Sequence, residues 1–320
     1  LLALGVRTLI LDEPTTGISI EQKEVLFEAL RDLTKNEGMI VLLVSHKLED
    51  VISLCDEAFV LRGGRLIGER EMPATPKELV AMMFGSAPEP ETREDVPIGQ
   101  PVMSLKGVHL TDKRLNMTDL NFDIRTGEVI GLAGLDGSGQ ELFMRACAGL
   151  VHTHGGNISV NGKTLTNRPY RQYFGQGVVF SAAGRVEEGL IAGLTLTEHM
   201  ALVMDENNFV DWAGAKTRMN AQIEHYDVRG RESDNIEQLS GGNQQRVLMS
   251  LLPDHPSVLL LEQPTRGLDV ESARWIWSRL LERRKTGTAI IFSSAELDEI
   301  IAYSDRILVF YAGQIREVPD

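Results

Sequence analysis

Cysteine, basic charge and long apolar runs are all scarce in this chain of 320 residues. Its two cysteines, Cys55 and Cys147, lie far apart with no CxxC spacing. That excludes a disulfide framework and a thiolate metal site, and it suits a reducing compartment. Lys and Arg number 32 against 46 Asp and Glu, giving a formal net charge of −14. A chain so acidic offers no general basic surface for nucleic acid. No apolar run reaches the roughly 18–20 residues of a membrane span, and no signal-peptide pattern is legible. Work at a membrane would therefore need a partner that crosses it. The rest is ordinary for a globular protein, 42% hydrophobic and 24% charged, with length for one large or two ordinary domains.

The chain repeats itself. TLILDEPTTGISIEQ at 8–22 recurs as VLLLEQPTRGLDVES at 258–272. IVLLVSHKLE at 40–49 recurs as IIFSSAEL at 290–297, and CDEAFVLRGGRLIGE at 55–69 as SDRILVFYAGQIREV at 304–318. Only the second copy has a long lead-in, from about Pro101 to Ser257, so the first is expected to have lost its front half and to leave an apolar sheet edge open. Residues 86–101, rich in Pro and Glu, read as a linker. Short Val/Ile/Leu-rich strands are predicted at 8–12, 40–45, 57–61, 128–133, 177–181, 258–262, 289–293 and 306–310. Helices are predicted at 21–35, 140–149, 242–252 and 271–285. Strand–helix alternation indicates α/β domains with a largely parallel sheet.

Two motifs carry chemistry. Leu239-Ser-Gly-Gly-Asn-Gln-Gln-Arg246 precedes an apolar run, VLMSLL. A Ser-Gly-Gly turn opening a helix offers free amides and a positive dipole end to a phosphate. Residues 134–141, GLDGSGQE, lie between a strand and a helix in the setting of a phosphate loop, GxxxxGK[ST]. Gly134 and Gly139 stand in register and Gly137 adds flexibility, but Gln140 holds the lysine position and Glu141 the hydroxyl position. A backbone nest that includes Ser138 survives without its fixed positive charge. The bland alternative is a glycine turn with no ligand.

LSGGNQQR resembles the signature of ATP-binding cassette (ABC) ATPases, and its Asn-Gln-Gln tail their sugar- and nucleoside-importer branch. The chain is most similar to fused double-cassette importer ATPases. The resemblance implies an α/β, P-loop NTPase-like ABC nucleotide-binding fold with a mostly parallel sheet, an antiparallel β part and a helical subdomain. It divides the chain into 1–85, the back half of a first nucleotide-binding domain, the linker 86–101, and 102–320, a second domain with a degenerate phosphate loop. It implies ATP and Mg2+ as cofactors. Asp12 would position the metal, Glu13 the attacking water, and His46 would meet the terminal phosphate. The second copy has Glu262, Gln263 and Ser294 at the places matched to these, and a glutamine holds a water without accepting its proton. Glu141 and Glu262 are the carboxylates left to meet a metal, and no intact metal site is expected.

In this family each ATP is sandwiched between one domain's loop and another's signature, here Leu239, Ser240, Gly241, Gly242 and Gln244. The resemblance pairs that signature with Asp12, Glu13 and His46, and implies that this polypeptide alone hydrolyses ATP very slowly or not at all. No aromatic stands in VHLTDKRLN at 108–116 to stack a base, and His109 is a poor substitute. Arg185 fits a coupling place, and 181–200 reads as the surface for a membrane subunit, with an ordinary surface loop as the alternative. The implied partners are transmembrane permease subunits and, through them, an extracytoplasmic solute-binding protein. The implied place is cytoplasmic, peripheral on the inner face of the membrane, with self-association left open. The competing readings are a non-catalytic nucleotide-binding or scaffold cassette and, more remotely, a soluble double-cassette translation factor.

Overall fold

The computed structural model describes residues 6–15, 18–45, 47–62, 64–84, 95–184, 188–204 and 209–318. The chain forms two compact units, 1–92 and 93–320.

Unit 1 contains β1 (Thr8–Asp12), α1 (Ile20–Lys35), β2 (Ile40–Val44), α2 (Leu48–Leu54), β3 (Glu57–Arg62), β4 (Arg65–Glu71) and α3 (Pro76–Phe84). Ser19 and Gln22 close a capping box at the start of α1. β1 and β2 pair in parallel, and β3 and β4 form a separate antiparallel pair. One face of the first pair is uncovered, with Ile10 67% and Ile40 61% exposed beside Leu42 and Val44. Asp50, fully buried on α2, accepts from Thr15 Oγ1 at 2.5 Å and pairs with Lys23.

Unit 2 begins with β5 (Pro101–Thr111), β6 (Asn116–Arg125), β7 (Val129–Ala133) and α4 (Gln140–Cys147). It continues through β8 (Gly155–Val160), β9 (Lys163–Thr164), α5 (Tyr170–Phe174) and β10 (Val178–Ser181). Then come α6 (Leu196–Met204), α7 (Trp212–His225), α8 (Gly241–Ser250) and β11 (Val258–Glu262). It closes with α9 (Val270–Lys285), β12 (Ala289–Ser293), α10 (Leu297–Tyr303), β13 (Arg306–Tyr311) and β14 (Gln314–Glu317). The main sheet runs β10-β11-β12-β7-β13-β14, parallel except for β14. A second, antiparallel sheet runs β6-β5-β8-β9.

β7 and β11 are buried at every position, as their unbroken apolar runs require of central parallel strands. Alternate residues then serve two cores. Ile130, Leu132, Leu260 and Ile291 pack with Phe143 and Met144 of α4 and with the antiparallel sheet. Val129, Leu259, Leu261, Ile290 and Phe292 pack against the helical side, including α8 and α9. The bond from Thr15 to Asp50 has its repeat in Thr265 Oγ1 donating to Glu299, which also accepts from Trp277 Nε1.

Arg284, 2% exposed at the end of α9, donates Nε to Gly127 O at 2.7 Å and Nη2 to Asp305 Oδ1 at 2.9 Å. Asp305 Oδ2 in turn accepts from Val129 N at 2.8 Å. This buried pair fastens α9 to the starts of β7 and β13. Removing one partner of such a pair costs about 3–5 kcal/mol. Arg284→Met is therefore expected to destabilise unit 2 by that amount in denaturant titration, and a loss under about 1 kcal/mol would contradict this role.

Candidate functional site

The loop between β7 and α4 is shaped by glycine. Gly134, Gly137 and Gly139 have φ of 147°, 79° and 123°. A Cβ at Gly134 would lie 2.6 Å from both Gln140 Nε2 and Phe310 O. At Gly137 there is open space around the same position, so backbone conformation alone calls for glycine there. Ser138 N donates to Leu135 O at 3.1 Å, and Ser138 O accepts from Gly313 N at 3.2 Å. Gln140, at the expected lysine position, is buried and turns Nε2 back onto Leu135 O at 3.4 Å. The side chain there serves the loop and adds no charge to it.

This loop forms one wall of a cavity of about 280 Å³, through Gly134, Asp136, Gly137, Gln140 and Glu141. The facing wall carries Glu262 and Gln263 from the end of β11, Ser293 and Ser294 from the end of β12, and Ala183 and Arg266. The parallel register, Glu262 opposite Ser293, brings these distant segments together. Ser138 and Gly139 belong to the loop without lining the cavity. Leu239, Ser240, Gly241, Gly242 and Gln244 do not line it either.

Unit 1 repeats the facing wall. Glu13 and Gln263 both have φ of 45°, and each amide donates to the end of the next strand, to Val44 O and Ser293 O, at 2.9 Å. The same register corrects one match made from sequence. Val44 answers to Ser293, and Ser45 to Ser294: each hydroxyl accepts the amide two residues on, Lys47 N at 3.0 Å and Glu296 N at 3.1 Å. The residue answering to His46 is therefore Ala295, and Ser294 answers to Ser45. The sequence match paired His46 with Ser294, one residue short of this register. His46 itself, like Arg185, lies outside the described residues.

The carboxylates around the cavity converge on a residue of α4. Arg145 Nε lies 2.9 Å from Glu141 Oε1 and 3.5 Å from Glu262 Oε1, and Nη2 lies 2.7 Å from Glu188 Oε2. Its guanidinium carbon is 5.5 Å from the centre of the Phe180 ring. Glu262 is 7% exposed, and its other oxygen accepts from Ala183 N at 3.3 Å. Elsewhere, α8 starts at Gly241 with Ser240 as an exposed N-cap. Asn243 Nδ2 donates to Ser240 Oγ at 2.9 Å, while Gln244 Nε2 reaches Ile236 O and Leu239 O at 3.2 Å. Arg246 anchors the helix over the Trp275 ring at 4.2 Å.

Residues 117–266 match the family described as ABC transporter. The nucleoside import ATP-binding protein NupA of Lactococcus lactis subsp. cremoris is 34% identical over 98% of this chain and 64% of its own length. The ribose import ATP-binding protein RbsA of Chromobacterium violaceum is 35% identical over 98% of this chain and 63% of its own. The chain thus spans just under two thirds of these relatives. A solved ATP-binding subunit of an ABC transporter superposes at a TM-score of 0.57 and 23% identity, covering 68% of this chain and 89% of that one. Unit 2 carries a domain of the ABC transporter family. A dimeric ATP-binding cassette solved with ADP and Pi, at 0.59 and 21% over 68% of this chain and 97% of that one, shares the fold.

ABC ATPase domains bind ATP, and the family implies Mg2+ with it. The donors in unit 2 do not fit that metal. Glu141 and Glu262 are already drawn to Arg145. Gln140 and Gln263 bring no charge, and no cluster of three metal-ligating side chains occurs among the described residues. Arg145, Glu188, Asp136, Arg266 and Ser293 were missed from sequence. Only the Glu141–Arg145 pair, spaced i to i+4 on a predicted helix, left a signal there. Both cysteines are free, and burial pushes the Cys147 thiol up to about 12, so that thiol is inert.

Burial raises the Glu262 carboxyl above its ordinary 4.5; Arg145 and the Ala183 amide oppose this, and Glu141 and Glu188 add to it. A carboxyl raised in the fold contributes stability fully below its unfolded value and loses it as pH rises through the folded one. Glu262→Gln keeps a neutral side chain throughout. Its stability relative to the unsubstituted chain is expected to increase from pH 4.5 towards neutrality, read from unfolding midpoints. A difference independent of pH would contradict the raised value.

Proposed function

We propose that this chain is the ATP-binding, energy-coupling part of an ABC importer for a simple sugar or nucleoside. Within it, unit 2 donates its signature helix and does not hydrolyse ATP in its own cavity. One observation carries this reading. Ser240 of the signature is exposed and its turn is braced, while Gln140 and Gln263 line the cavity where a cation and a general base are expected, and Ala295, next to the cavity-lining Ser294, stands where the phosphate-contacting histidine is expected. The solute class follows the relatives' names, nucleoside and ribose import. Turnover of ATP with Mg2+ belongs to a site supplied by the acidic pair Asp12–Glu13, with His46, and by the signature of a facing cassette.

No described helix is long and apolar enough to cross a membrane. The importer reading puts the chain in the cytoplasm, peripheral on the inner face of the membrane. There it docks on transmembrane permease subunits and serves, through them, an extracytoplasmic solute-binding protein. Residues 181–200, with Arg185, are the proposed contact. The glutamines also suit a second reading, a cassette that binds nucleotide as a scaffold without splitting it.

Phosphate release from ATP and Mg2+ by the purified chain tests the first reading. A glutamine in place of a general base costs about 10²–10⁴ in rate. The purified chain is expected to release phosphate at no more than background, with no further fall in Glu13→Gln. Robust release that Glu13→Gln abolishes would overturn the reading.

A further inference from the structure

We propose that Arg145 is a built-in cation that keeps divalent metal out of the unit 2 cavity and makes its carboxylates a metal-free junction between α4, β11 and the segment at Glu188. The inference deepens the function proposed above.

Three carboxylates from three parts of the chain meet one guanidinium. Glu141 lies on α4 itself, Glu188 follows the loop that leaves β10, and Glu262 ends β11. Glu262 is 7% exposed, lines the cavity, and has in Oε1 a buried oxygen with no hydrogen-bond partner, only the 3.5 Å ion contact with Arg145. An anionic oxygen in that setting needs a cation nearby. Arg145 fits the need, because a guanidinium is planar, permanently charged and able to serve several acceptors at once. It is 25% exposed and lies against Phe180, so it is held in place on a short reach from the helix. A divalent ion entering here would have to displace it from all three partners. The glycine loop and the open N-terminus of α4 remain available to a phosphate group, which would be held on backbone amides.

Removing the guanidinium should expose a ready-made set of three carboxylates. The experiment is a Mn2+ titration of the whole chain without nucleotide. It follows paramagnetic broadening of the amide signals of 140–145 and 188–190, with parallel runs on Arg145→Met and Arg145→Lys. The unsubstituted chain and R145K are expected to keep these signals sharp, whereas R145M is expected to broaden at Mn2+ concentrations at least tenfold lower. Broadening in the unsubstituted chain at the same concentration as in R145M overturns the proposal, as does an R145M that responds no more than the parent. Arg145→Gln takes the place of R145M if that variant does not fold, with the same two outcomes. Phosphate release from unit 2 would sink the non-hydrolytic reading instead, so the two failures are distinct.

Discussion

The parallel pairing of β7, β12 and β11 is the constraint on which the rest depends. Residue-by-residue pairing puts the ends of these strands at one edge of the sheet. In an open parallel sheet, ligands bind beyond the carboxyl ends of the strands. The glycine loop, Glu262, Gln263, Ser293 and Ser294 are neighbours for this reason, although more than a hundred residues separate the loop from the last of them. The same pairing needs strands buried on both faces, which explains the unbroken apolar runs that made them visible in the sequence.

The central strands and the helices after them were legible because their signals are local. β1, β11 and β12 fall where their apolar runs lie, and α1 and α9 start within one residue of expectation, behind Ser19 and Asp269 caps. The antiparallel sheet was not placed strand by strand. β5 and β6 carry register shifts in their pairing, which blur the alternation that marks a half-buried strand. α6 and α7 were missed too, because each buries few large apolar side chains: α7 buries Ala215 and Met219, and the buried residues of α6 include a polar one, His199, which accepts from Ile191 N at 2.9 Å.

In the site, the loop and acidic positions were readable as motif slots, and the cavity does assemble most of them. What fills those slots was not readable. Gln140 folding onto Leu135 O and Arg145 gathering three carboxylates are outcomes of packing, since their partners come from other elements. The one-residue shift from Ser294 to Ala295 shows how an ungapped strand register outranks a match of letters. The cavity keeps its glycine loop and strand-end carboxylates, with Arg145 offsetting part of their charge from within. Fold and phosphate nest are backbone properties and survive changes that remove the reacting groups.

Vanadate trapping followed by peptide mapping tests the central claim most directly, because it captures nucleotide only where the terminal phosphate has been cleaved. With 8-azido-ATP, Mg2+ and vanadate, the account predicts no trapped label on the peptide that contains Gly134–Glu141. Trapped label on that peptide would show that the unit 2 cavity hydrolyses ATP and would contradict the account.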